Sequence, residues 1–229
     1  GAKVAPSEKF TTVYSGMEIE PFLRATDDRT DIRNRLGLRH DDIAIGTVAR
    51  LAELKGHDDL LDALSPLLWS RGRLRLLWVG DGWWRKRLQQ RIQSLGLSDR
   101  VILTGLLPPD RIPAMIQAMD VLVHPSYREG LPRAVVQAML CAVPVVSYDC
   151  DGAGEVCIDG RTGRLTPAGA PTALAEAVSW VIDHPAEAAE LAQRGRALCG
   201  ERFAAAAMVD QLEDLYRRLL ARTRMPRPA

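Results

Sequence analysis

The stretch Asp120-Val121-Leu122-Val123-His124-Pro125-Ser126-Tyr127-Arg128-Glu129-Gly130-Leu131-Pro132 decides the fold. Residues 121–124 form an apolar run of strand length, and a helical pattern over 131–141 follows a short polar loop. Pro132 suits the first turn of that helix, and Gly130 lets backbone approach a ligand closely. A helix start offers unpaired N–H groups and the positive end of a dipole, which together make a natural anion site. Glu129 has two readings here. It is either a partner for the helix dipole or a carboxylate facing a ligand crevice, where it could accept hydrogen bonds from sugar hydroxyls.

The same strand-then-helix unit repeats on both sides of this stretch. Apolar runs at 43–49, 74–79, 101–104 and 144–148 read as further strands, and 57–69, 83–95 and 110–118 as the helices between them. The strands are apolar nearly throughout, as expected of a parallel sheet covered by helices on both faces. Gly80-Asp81-Gly82, Pro108-Pro109 and Asp159-Gly160 punctuate the elements. After Gly163 the pattern changes, and from about Pro171 onward residues 172–182, 186–199 and 204–222 read as consecutive helices without strands. The tail 225–229, with two prolines, reads as a frayed end. The expected fold is therefore α/β, a Rossmann-like parallel sheet with helices on both faces plus C-terminal helices.

Ligands of such sheets sit at the carboxyl ends of the strands. The first strand ends in Ala49-Arg50-Leu51-Ala52-Glu53-Leu54-Lys55-Gly56. A guanidinium fork and a compact ammonium, five residues apart in a loop entering a helix, suit a diphosphate. The same pair also reads as two solvated loop charges. Val79-Gly80-Asp81-Gly82 is a poor dinucleotide fingerprint, because Arg85 stands where a third glycine belongs. A tight turn is its expected role. That gap also disfavours a nicotinamide-dependent oxidoreductase.

Composition narrows the classes further. The chain has 229 residues, 47% of them hydrophobic, and 30 basic against 29 acidic side chains leave a net charge of +1. Such a balance gives no reason to expect nucleic acid as the main partner. Cys141, Cys150, Cys157 and Cys199 show neither CxxC pairing nor zinc spacing, so buried free thiols in a reducing compartment are expected. No apolar run approaches membrane-spanning length, and no signal peptide is evident. The chain begins at Gly1 without an initiator Met, which reads as a fragment boundary. Trp83-Trp84-Arg85-Lys86-Arg87 has two readings: a peripheral membrane contact, or one Trp packed on the sheet beside solvated cations. His124 and His57 read as a packed and an exposed histidine.

Taken together, these pieces resemble the C-terminal domain of retaining GT-B glycosyltransferases, the group 1 family that includes glycogen and sucrose synthases. The matching stretches are Arg50-x4-Lys55-Gly56, Val79-Gly80-Asp81-Gly82, Val101-x3-Gly105, Asp120-Val121-x-Val123-x-Pro125-Ser126 and Glu129-Gly130-Leu131-Pro132. Ala142-x-Pro144-Val145-Val146, Gly154-Glu155-Val156 and Asp159-Gly160-x-Thr162-Gly163 continue them in family order. The resemblance implies half of a GT-B fold that holds a nucleotide-sugar donor, UDP-sugar by default, for transfer of a hexosyl unit with retention. By the same resemblance Arg50 and Lys55 grip the diphosphate, Glu129 contacts the sugar, and Gly130, Leu131 and Pro132 add amides and the helix start. Gly105-Leu106 would border the nucleobase. No cofactor or metal is expected, and a separate N-terminal domain would bind the acceptor. The implied boundaries are a linker remnant at 1–12, a nucleotide-sugar domain at 13–203, and a closing helix and tail at 204–229 expected to pack toward that other domain. The implied location is cytoplasmic, with the membrane contact through Trp83 to Arg87 left open.

Two positions depart from the family pattern. The family typically places a second glutamate eight residues after the first, on the ribose hydroxyls, where this chain has Gln137. Gly154 stands where the family usually has proline, and Glu155 beside it reads as structural. A non-catalytic nucleotide-sugar-binding domain and a GT-B sugar-nucleotide epimerase are the alternative readings.

Overall fold

The computed structural model describes residue 6, residues 9–24 and residues 29–224, with backbone alone for 222–224. Residues 225–229, expected to fray, lie outside the described residues, as do parts of the expected linker. Six strands form one sheet: β1 (Ile43–Val48), β2 (Leu74–Val79), β3 (Val101–Gly105), β4 (Val121–His124), β5 (Val145–Asp149) and β6 (Arg164–Pro167). All neighbours pair in parallel, in the order β3-β2-β1-β4-β5-β6. This is the doubly wound dinucleotide-fold order, whose strand direction of travel reverses between β1 and β4.

The helices are α1 (Glu20–Leu23), α2 (Arg29–Arg35), α3 (His57–Ser70), α4 (Arg85–Ser94), α5 (Ile112–Gln117), α6 (Arg133–Leu140), α7 (Pro171–Asp183), α8 (Pro185–Arg202) and α9 (Ala205–Arg224). Alternation along the strands divides the core into two layers. Ile45, Leu76, Trp78, Val123 and Tyr148 join Leu60 and Leu64 of α3, Leu88 of α4 and Val178 of α7. Leu77, Val79, Leu122 and Val145 join Ile116 of α5, Val136 and Met139 of α6 and Cys199 of α8. Both sheet faces are thus buried, which explains the near-continuous apolar strands.

From Pro171 onward the described elements are helices, as expected. One strand is absent from the sequence reading: β6 pairs with β5 from Val146↔Arg164 to Asp149↔Pro167. Its polar Arg-Leu-Thr-Pro sequence lacks an apolar run, and its strand character comes from docking at the sheet edge, where a terminal proline is tolerated. The short helices α1 and α2 also escape the periodicity. Buried Arg33 of α2 donates to the Ala118 carbonyl at 2.9 Å and to Asp120 at 3.1 Å. Asp120 also accepts from the Ala44 amide at 2.7 Å, so it ties the amino ends of β1 and β4 together.

The four cysteines are free, as expected, with three buried and Cys141 half-buried. Burial pushes the Cys141, Cys157 and Cys199 thiols up to about 12. Among the described residues, no helix is long and apolar enough to cross a membrane.

Candidate functional site: a cationic crevice at the switch point

Where the strand order reverses, the loops leaving β1 and β4 meet. The β1 loop turns through a 3-10 segment, Glu53–Lys55, to Gly56, whose φ of +66° is left-handed. A Cβ there would lie 1.9 Å from the Pro125 carbonyl oxygen, so only glycine allows the two loops to touch. The Tyr127 amide and the Ser126 hydroxyl both donate to the Leu54 carbonyl, at 2.9 and 3.1 Å. This contact brings together the two ends of the sequence pattern.

Lys55 Nζ donates to Glu129 Oε1, and the Ser126 hydroxyl lies 3.5 Å from the same ammonium. His124 Nε2 sits 3.2 Å from Glu129 Oε1, where it must carry the proton to donate. Burial alone would raise the Glu129 carboxyl. The hydrogen bonds from His124 and Lys55 outweigh it and pull the carboxyl down to about 2. Glu129 is therefore an anion at any physiological pH. It is also held from behind, since its amide donates to Asp151 Oδ2 at 3.0 Å and its carbonyl accepts from Gly152 at 3.2 Å.

A second carboxylate fixes the loop. Asp59 Oδ2, in the first turn of α3, accepts from both the Tyr127 and the Tyr148 hydroxyls, the latter at 2.8 Å. That hydrogen bond, with burial and the nearby charge, raises the Tyr127 phenol to about 12.

Arg50 differs from Lys55 in its surroundings. Among the described residues it has no carboxylate partner, and its guanidinium carbon lies 5.7 Å over the Trp83 ring. Two cavities meet at Arg50. One, of about 490 Å³, is lined by Arg50, Ala52, Glu53, Leu54, Lys55 and Trp83. The other, of about 280 Å³, runs from Arg50 past Gly80 and Asp81 to Leu106, Leu107 and Ile112. Gly105 turns at φ +75° just before Leu106, which is exposed.

The remaining residues predicted from sequence fall as follows. Gly130 is exposed with open space around its α-carbon, and half-buried Leu131 and buried Pro132 lead into α6. Pro132 occupies the cap position rather than the first turn, and no side chain caps that helix start. Gln137 is half-buried in α6, outside both cavity linings. Glu155 is outside both cavity linings, and its carboxylate raises the pKa of the Tyr14 phenol.

The basic aromatic run splits. Trp84 packs on the core with Arg87 stacked 4.4 Å above it, while Arg85 pairs with Asp81 and Arg87 with Asp58. Only Trp83 points its exposure at the crevice mouth, beside Arg50. His57 is not exposed, contrary to expectation. It is 1% exposed, packed edge-on against Trp78, with both ring nitrogens unpartnered. Burial lowers its pKa to about 4, so it stays neutral. His124, read as a packed histidine, is indeed buried, yet it also holds Glu129, a contact that its position before Pro125 does not announce.

Comparison with known proteins identifies the family and the fold. The sequence model of the glycosyl transferases group 1 family matches residues 28–198. A 2-deoxystreptamine glucosyltransferase from Streptomyces kanamyceticus is 35% identical over 178 residues, 75% of this chain and 45% of that protein. Anabaena Alr3699/HepE, solved in complex with UDP-glucose, superposes with a TM-score of 0.84 at 29% identity, over 94% of this chain and 59% of that one. The C-terminal domain of a group 1 family protein (LpcC) from Francisella tularensis shares the fold, with a TM-score of 0.74 at 20% identity over 83% of this chain and all of that domain. The chain spans about half the length of the curated relatives it matches. It belongs to the group 1 glycosyl transferases.

Proposed function

We propose that this chain is the donor-binding half of a retaining hexosyltransferase, with a UDP-sugar of glucose type as the donor. The observation that carries this reading is the meeting of Arg50, Lys55 and Glu129 at the switch point, with two cavities joined at Arg50. The nucleobase fits the cavity beside Leu106, the diphosphate lies across Arg50 toward Lys55 and the open start of α6, and the sugar reaches Glu129. The glucose-type donor follows from the relatives, one named a glucosyltransferase and one solved with UDP-glucose.

The chemistry then divides simply. The bond from the anomeric carbon to the diphosphate oxygen breaks, and the nucleotide leaves with the electron pair. Arg50 and Lys55 neutralise the charge that develops on it, the kind of preorganised stabilisation that usually contributes most to such rates. Glu129, held by His124, orients the sugar through its hydroxyls. The acceptor hydroxyl attacks from the side the nucleotide leaves and loses its proton to the departing phosphate. With two cations and a helix start in place, the reading needs no metal.

In this reading the acceptor is bound by a second domain beyond this chain. Exposed Val209, Tyr216 and Leu220 on α9 supply an apolar face for packing against it. A crevice role for Trp83 is favoured over a membrane contact, because Arg85 and Arg87 beside it are paired with Asp81 and Asp58 within the fold. The test is product analysis with the full-length protein and UDP-α-glucose. Transfer giving an α-linked product supports the reading. A β-linked product overturns retention, and an altered nucleotide-sugar without transfer would favour an epimerase.

A further inference from the structure

Trp83 is a large apolar side chain left 69% exposed at the mouth of the crevice. Its placement is tightly determined. The Leu51 amide donates to the Asp81 carbonyl at 3.0 Å, and the Trp84 amide donates to the Leu51 carbonyl at 3.1 Å. Gly82 sits in this crossing, where a Cβ would lie 2.3 Å from the Leu51 oxygen. The loop after β2 is thereby stitched to the loop after β1, one residue beyond Arg50 on one side and one residue from Trp83 on the other. That backbone crossing sets the indole under the Arg50 guanidinium.

We propose that Trp83 is a positioning residue for the diphosphate site: its ring holds the Arg50 guanidinium at the junction of the two cavities and walls the larger one. The proposal rests on the donor-site reading above. An exposed arginine without a carboxylate partner samples many rotamers, and each must be given up when an anion binds. A ring face restricts the guanidinium plane without neutralising it, because the attraction comes from the ring quadrupole rather than from a counter-charge. Its N–H fork stays available to phosphate oxygens. Lys55 is managed differently, by the Glu129 carboxylate. The two cations of one site are thus prepared by two devices, and only that of Arg50 leaves its charge uncompensated.

The test is a calorimetric cycle on this chain with UDP, comparing the parent, Trp83→Ala, Trp83→Phe, Arg50→Ala and the Trp83→Ala/Arg50→Ala double variant. Trp83→Ala is expected to weaken UDP by about three- to tenfold while thermal stability holds, since the indole is exposed. Trp83→Phe is expected to recover affinity to within about twofold, and Trp83→Ala to add nothing once Arg50 is gone. Parent-like binding by Trp83→Ala, failure of Trp83→Phe to recover affinity, or an undiminished Trp83→Ala effect in the Arg50→Ala background would each overturn the proposal while leaving the donor site intact. A parent chain that binds no UDP would overturn the donor-site reading and this proposal with it.

Discussion

Lys55 and Glu129, from loops 74 residues apart in sequence, form an ion pair across the point where the strand order reverses. The pair places a cation for phosphate directly beside an anion for sugar hydroxyls. Lys55 is 28% exposed and Glu129 14%, so the pair is partly sheltered without being sealed from a ligand.

Replacing Glu129 by Gln should separate nucleotide from sugar recognition. Without the carboxylate Lys55 is freed for the diphosphate, so UDP affinity should hold or rise. UDP-glucose should lose its advantage, and transfer by the full-length protein should fall by about a hundredfold or more. Parallel titrations with UDP and UDP-glucose check this. Equal weakening of both would contradict the assigned role.

Gln137→Glu restores a charged acceptor on α6. Hydrogen bonds to charged groups contribute about 1.5–3 kcal/mol against about 0.5–1.5 for neutral ones, so nucleotide affinity should rise by up to about tenfold. An unchanged or lower affinity in a titration would show that the ribose does not reach this helix position.

Gly56→Ala tests the contact between the two loops. Its left-handed φ and the 1.9 Å approach to the Pro125 oxygen leave no room for a methyl group. Stability should drop by about 2 kcal/mol or more, read from the denaturant midpoint.

Acid should weaken the fold in two steps. The folded pKa of His57 is depressed to about 4 from an ordinary 6.5, so its contribution is complete above pH 6.5 and is lost as pH falls toward 4. The Glu129 carboxyl, depressed to about 2 from 4.5, adds a second loss from pH 4.5 downward. The first step should be on the order of 3 kcal/mol and should vanish in His57→Leu. A midpoint that stays flat between pH 7 and 4.5 would contradict the neutral, unpartnered imidazole.

The strand-end loops were readable because a parallel sheet brings its ligand groups to the ends of apolar runs, and those runs show in the residue pattern. Arg50, Lys55 and Glu129 could be singled out on that rule before any contact was known. What escaped depends on contacts that sequence spacing does not encode. The Asp59 clamp joins residues 68 and 89 positions apart. β6 is a strand only because β5 offers it an edge. Asp151 follows the fifth strand, so the same strand-end rule could have flagged it. His57 follows Lys55-Gly56 at a helix start, yet the approach of Pro125 to Gly56 closes the loops over it and buries the ring.

The central claim is that Arg50 and Lys55 grip a nucleoside diphosphate. Calorimetric titration of this chain with UDP, GDP and ADP, repeated on the Arg50→Ala/Lys55→Ala variant, tests it most directly. The account predicts that UDP binds best and that the double variant loses at least about thirtyfold in affinity while remaining folded. Undiminished binding by the double variant, or no binding of any of the three by the parent chain, would contradict it.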